Sequence, residues 1–249
     1  MEHLPLTVSS LFVATTLLTV FFLVKASGFS KKLMIVIAAW LALQAIISKT
    51  GFYLFTNSLP PRFLLAVVPA FIAIALLFLT PAGKRFVKSL NPKDLTLLHI
   101  VRIPVEICLF LLFLNKAVPA AMTFEGSNFD IVSGITAPLV YYFFFVKRNL
   151  PVKAVLMWNT ACLLLLINII VTASLAAPFP FQQLAFDQPN VAVLHFPFVW
   201  LPSFIVPAVL LAHLASIKHL LSNRSEKRVA ADRHAKEHHS RSDRATTLV

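Results

Sequence analysis

Seven long apolar stretches follow one another through the first 221 residues, at about 7–24, 33–52, 62–80, 95–115, 131–147, 152–177 and 192–216. Each has the length a helix needs to cross a hydrocarbon layer roughly 30 Å thick at ~1.5 Å per residue. The chain is 58% hydrophobic with a mean hydropathy of +0.82, too apolar for a water-soluble domain. Backbone groups in lipid must be paired within the protein, and these runs are too long and too little alternating for barrel strands. The expected architecture is therefore all-α: a polytopic transmembrane bundle of seven spans over residues 1–221. The charged segment 222–249 lacks a core and is expected to be a basic, disordered cytoplasmic tail.

A net charge of +12 would point to nucleic acid in a soluble protein. Here topology accounts for it. Lys25, Lys31 and Lys32 follow the first span, Lys84, Arg85, Lys88 and Lys93 the third, and Lys147, Arg148 and Lys153 the fifth. The alternate side holds only Lys49, Arg62 and Lys116. Cytoplasmic loops are the Lys- and Arg-rich ones, so the N-terminus is expected outside and the C-terminus inside a bacterial inner membrane. Membrane lipids, not nucleic acid, are the expected partners. The first basic side chain is Lys25, so the opening segment lacks the basic start of a cleaved signal peptide and should remain as a span. Cys108 and Cys162 both fall inside spans, which argues against a disulfide framework.

Two pairs of segments match in order. FFLVK (21–25) returns as FFFVK (143–147), and PAFIAIAL (69–76) as PSFIVPAV (202–209). The pairs outline a parallel three-plus-one-plus-three repeat with the fourth span as linker, an organisation that places substrate sites at the repeat interface.

The fourth span carries the chemistry. In LLHIVRIPVEICLFLLF, the residues His99, Arg102 and Glu106 share one helical face, and Glu106 lies about 16 Å from the span's start, near the midplane. Ionisable groups at that depth are costly and usually face a bundle interior or a cavity. Arg102 and Glu106 are expected to neutralise each other as an i, i+4 pair. Gln44, Tyr141 and Asn168 fall at similar depths and complete the expected ligand-binding set, with Asn159 near His99. His213 is expected near the inner interface, as a packed residue.

A second constellation lies in the outer loops, where Glu125, Asp130, Asp187 and His195 are candidate site residues. Carboxylates with a histidine can bind divalent cations, but no tight ligand spacing appears, so no metal site is expected. The Phe-, Pro- and Gln-rich loop 178–191 is expected to cover the outer mouth of the bundle. His234, His238 and His239 in the tail are expected to be solvated.

Some family patterns are excluded. Microbial rhodopsins need a lysine in the middle of the seventh span, and this chain has only Lys218 at its inner end. The three-plus-one-plus-three order resembles the SWEET sugar transporters, without their Pro-Gln or Pro-Asn signature. Pro104-Val105-Glu106 resembles part of the Pro-x-Glu-Glu run of membrane-embedded lycopene cyclases, with Ile107 in place of the second Glu. The segments MTFEGSNFDIVSGITAPLVYYF (122–143) and PFQQLAFDQPNVAVLHFPFVWLP (180–202) resemble uncharacterised bacterial multi-pass membrane proteins, seven-helix proteins of unknown function. That resemblance implies a membrane class and no reaction.

The leading functional expectation is binding or transport of a small apolar or amphipathic molecule, anchored by Arg102 and Glu106. An alternative is an integral-membrane enzyme acting on a lipid or isoprenoid, with Glu106 as general acid. A further alternative is a non-catalytic subunit or scaffold of a membrane complex. No motif specifies a cofactor.

Overall fold

The computed structural model describes residues 4–222, and within them every regular element is a helix. In chain order these are α1 (Leu6–Ala26), α2 (Lys31–Lys49), α3 (Leu64–Leu79), α4 (Pro81–Ser89), α5 (Pro92–Leu114), α6 (Ile131–Val146), α7 (Val152–Leu175) and α8 (Leu201–Ser222). Five of them, α1, α2, α5, α7 and α8, are long and apolar enough to cross a membrane. A sixth span results if α3 and α4 are taken as one broken helix. Helix α6 is apolar but shorter.

The break between α3 and α4 is a 91° turn with a clear local cause. Thr80 leaves the helical conformation and its hydroxyl accepts from the Gly83 amide at 3.1 Å, while Pro81 fills the first helical position. A Cβ on Gly83 would lie 2.4 Å from the Leu77 Cα, so only glycine lets α4 fold back this closely. Helix α4 buries Gly83 and Val87 and exposes Lys84, Arg85 and Lys88, the two-sided composition of a helix lying along an interface.

Prolines distort three further helices. Pro104 cannot donate to the preceding turn, and residues His99–Val101 tighten to a 3-10 turn. The wide turns Tyr142–Val146 and Leu201–Ile205 accompany Pro138 and Pro202. The matched segments of the expected repeat consequently differ in local geometry: residues 21–25 are regular helix, whereas 143–146 form a wide turn.

Helix α5 is central. It packs on α1 and α6, and its side chains reach α7 and α8. Thr15, Thr16 and Thr19 of α1 are buried and return their hydroxyls to carbonyls one turn back, which lets small polar residues sit inside the bundle. Helices α2 and α8 are joined reciprocally, the Trp40 indole donating to the Ser203 carbonyl and the Trp200 indole to the Leu41 carbonyl, both at 2.9 Å.

One end of the bundle gathers the basic segments. The Asn91 amide donates to the Ala26 carbonyl at 2.8 Å, Lys25 pairs with Asp94 at 3.2 Å, and His219 meets the Val87 carbonyl at 3.0 Å. The C-terminal ends of α1 and α8 and the start of α5 therefore lie together beside α4.

The last helix departs from the sequence expectation of a span at 192–216. It begins at Leu201 and runs to Ser222. Residues 192–200 instead form a short 3-10 turn and a turn through Pro197, anchored by the Val191 and Ala192 amides on the Ala117 carbonyl. Pro197 lacks the amide that a helix running through this region would use. The tail histidines His234, His238 and His239 lie outside the described residues.

Candidate functional site

Arg102 is 2% exposed, and three elements meet around its guanidinium. Asp130, at the entrance to α6, accepts from one terminal nitrogen at 2.7 Å. The Cys162 carbonyl of α7 accepts from the same nitrogen at 3.3 Å, and the other terminal nitrogen meets His213 Nε2 of α8 at 3.1 Å. An arginine has donors only, so His213 Nε2 must accept here. Its Nδ1 then carries the hydrogen and donates to Asn159 Oδ1 at 3.1 Å, while the Asn159 amide donates to the Val155 carbonyl. A continuous relay thus runs from Asp130 through Arg102 and His213 to Asn159. His99 stacks on His213 with ring centroids 3.9 Å apart and meets Trp158 edge-on, and the Trp158 indole donates to Thr136.

The expected Arg102–Glu106 pair does not form. Asp130 is held rigidly because its own amide donates to Asn128 Oδ1 at 3.1 Å, which presents the carboxylate across the helix interface. A short, charge-assisted bond of this kind outcompetes an i, i+4 pair, in which two long side chains must lie along one helix surface. Glu106 turns instead to Asn128, whose amide nitrogen donates to Oε1 at 2.7 Å and to the Met122 carbonyl at 3.0 Å. Glu106 Oε2 has no hydrogen-bond partner among the described residues.

Arg102, Glu106 and Asp130 form the polar wall of a cavity of about 180 Å³. The remaining wall is almost wholly apolar, with Val105 and Leu109 of α5, Ile169 and Ala173 of α7, and Ile205 and Val209 of α8 among its members, and Asn190 as a further polar contributor. Its other boundary comes from the chain before α3 and from the long loop before α8. Phe63 and Phe179 stack with centroids 5.6 Å apart, and both line the cavity with Phe181. The loop is tied down by backbone donors to the Leu175 and Ala176 carbonyls and by the Gln188 amide, which reaches the Phe113 and Val118 carbonyls at 3.0 and 2.6 Å.

The other expected site residues are dispersed. Gln44 is buried outside the cavity lining; its side chain accepts from the Tyr53 hydroxyl at 2.6 Å, and Tyr53 packs edge-on against Phe63 of the cavity wall. Burial pushes the Tyr53 phenol up to about 12, the bond to Gln44 acting in the opposite direction. Tyr141 is half-buried against Phe145, and Asn168 is exposed, donating to the Ser127 carbonyl. Glu125 and Asp187 are exposed, and His195 is half-buried, its imidazole pKa lowered by that burial. The outer-loop constellation is therefore split, with Asp130 drawn into the Arg102 cluster. Among the described residues no group of three or more His, Cys, Asp or Glu side chains is placed to hold a metal.

Sequence position groups Asn128 with the loop residues rather than with Glu106, and sets His213 near the end of its span. The depth of His213 depends on where its helix begins, and that start is Leu201 rather than residue 192. Counting ~1.5 Å per residue from Leu201 puts it about 18 Å along the helix, level with the buried cluster. The prolines at 197 and 202 were the available signal.

Residues 60–221, about two thirds of the chain, match the model of a family described as a domain of unknown function, DUF8737. No curated protein and no solved structure matches the chain.

Proposed function

Starting from a chain that belongs to the DUF8737 family, we propose a seven-span protein of the bacterial inner membrane that binds or translocates a small apolar or amphipathic molecule. The three finer parts of this reading have separate support. Helices α3 and α6 supply the remaining two spans beside the five long ones, α3 ending in the interfacial turn to α4 and α6 crossing locally thinned or tilted surroundings. The gathering of Lys25, Lys84, Arg85 and Lys88 at one end of the bundle favours a cytoplasmic location for that end, and with it the end of α8. Reporter fusions at the two chain ends are expected to place the N-terminus outside and the C-terminus inside; both ends in one compartment would rule out an odd number of spans.

The binding reading is carried by one observation: a mostly apolar cavity whose polar wall is the buried cluster of Arg102, Asp130 and Glu106. Binding pockets typically combine an apolar lining with a few fixed polar groups, and membrane-embedded charges usually mark ligand or ion paths. Untargeted mass spectrometry of purified protein is expected to find a small molecule that is depleted in an Ala173→Phe variant, whose larger side chain occupies the cavity. Equal content in both proteins, each shown to be folded, would remove the cavity from the proposal.

The enzyme alternative has an observation of its own. Glu106 and Asp130, two carboxyl groups able to transfer protons, share that cavity wall. Chemical conversion of the bound molecule, rather than its unchanged release, would favour this second reading.

A further inference from the structure

With Glu106 ionised, the charges of the cluster do not balance within the cavity wall. Arg102 and Asp130 cancel through their 2.7 Å contact. His213 accepts from Arg102 at Nε2 and so adds no positive charge there. Among the described residues, Glu106 has a neutral partner, Asn128, for one oxygen and no partner for the other, and the residue is 1% exposed. Among the described residues, no cation other than Arg102 lines the cavity. A buried carboxylate oxygen left without a donor beside an apolar space is costly unless something donates to it.

We propose that the cavity selects a ligand with a cationic, hydrogen-bond-donating head, an ammonium group on a compact apolar body, and that Glu106 Oε2 is its acceptor. This inference rests on the binding reading above and specifies its ligand class. The size follows from the volume: apolar cavities near 150 Å³ admit benzene, so about 180 Å³ accommodates a ring or short alkyl chain with one small polar group. The head is anchored at Glu106 while the body lies against Leu109, Ile169 and Ile205. A carboxylate head is disfavoured, because it would set a second negative charge beside Glu106 while Arg102 is already engaged.

Three probes of nearly equal size separate the cases: benzylammonium, benzyl alcohol and benzoate, titrated at pH 7 into the full-length protein in detergent by calorimetry or ligand-observed NMR. Benzylammonium is expected to bind about tenfold or more tighter than the alcohol, the increment of a charge-assisted hydrogen bond, with benzoate weakest. In Glu106→Gln the advantage of the ammonium over the alcohol is expected to vanish. Ala173→Phe is expected to weaken all three. Equal binding of ammonium and alcohol, or tightest binding of benzoate, overturns the head-group assignment while leaving the cavity reading intact. Binding of none of the three by the wild type overturns both. The wild-type comparison stands even where Glu106→Gln fails to fold, and Glu106→Asp, which withdraws the carboxylate by one methylene, then serves as the variant and is expected to reduce the ammonium preference.

Discussion

Asp130→Leu is expected to destabilise the protein by about 3–5 kcal/mol, the usual cost of removing one member of a buried ion pair. The loss does not measure the attraction between the two groups. It arises because Arg102, 2% exposed, would lose the one carboxylate in contact with it, while the Glu106 carboxyl in the same wall is held by Asn128. The Cys162 carbonyl and His213 Nε2 would remain as acceptors, but neither carries compensating charge, and among the described residues Arg102 Nε already has no partner. Asp130→Asn, which keeps an acceptor of the same shape, should cost less. The double variant Arg102→Met/Asp130→Leu should recover most of the loss, because neither member of the pair is left without the other. A double-mutant cycle of denaturant or thermal unfolding in detergent checks this. Additive losses from the two single changes would show that Arg102 and Asp130 are not energetically a pair. The recovered double variant should still bind ligand poorly, which separates the cluster's contribution to stability from its place in the cavity wall.

The second large effect is expected at Gly134, one turn beyond Asp130 on α6. A Cβ there would lie 2.8 Å from Ile103 Cγ1, 3.1 Å from the Ile103 amide nitrogen and 3.3 Å from Arg102 Cβ. The first neighbour is a side chain that can rotate; the second is backbone and cannot. Gly134→Ala should therefore cost about 1–3 kcal/mol and Gly134→Val more, as overpacking forces α6 away from α5. The same displacement carries Asp130 with it, so part of the cost is a lengthened contact to Arg102. Ile103→Ala is expected to rescue Gly134→Ala substantially, since it removes the closest atom. Thermal unfolding of the two single variants and the double one decides: without rescue, the tight approach at Ile103 is not what the glycine protects.

Most of the helical segments were legible in the sequence because hydropathy is a one-dimensional property. The expected spans at 7–24, 95–115 and 131–147 lie within a few residues of α1, α5 and α6. The last helix starts nine residues later than its apolar run, for a local reason. Residues 192–200 are apolar enough for a span, yet Val193, Leu194 and Val199 are buried in one cluster with Phe63 and Phe179. Apolarity reports burial without saying whether lipid or protein does the burying, and Pro197 was the contrary signal.

The candidate site shows the same division. His99, Arg102 and Glu106 could be placed on one face of one helix by periodicity, and burial of all three follows from their depth. Their partners could not be assigned this way. Asn128 and Asp130 lie in a loop more than twenty residues downstream, and His213 lies on a helix whose starting point sets its depth.

Composition and the spacing of apolar runs determined that this chain forms helices suited to lipid and that the middle of α5 carries ionisable groups at a cost. Only the tertiary structure decided that Arg102 is neutralised by Asp130 rather than by Glu106, and that Glu106 faces a cavity with one oxygen unpaired. The physical reason is one of range: helix periodicity relates residues within a few turns, whereas charge pairing and cavity walls depend on how separate helices approach, and that is settled by the packing of the whole bundle.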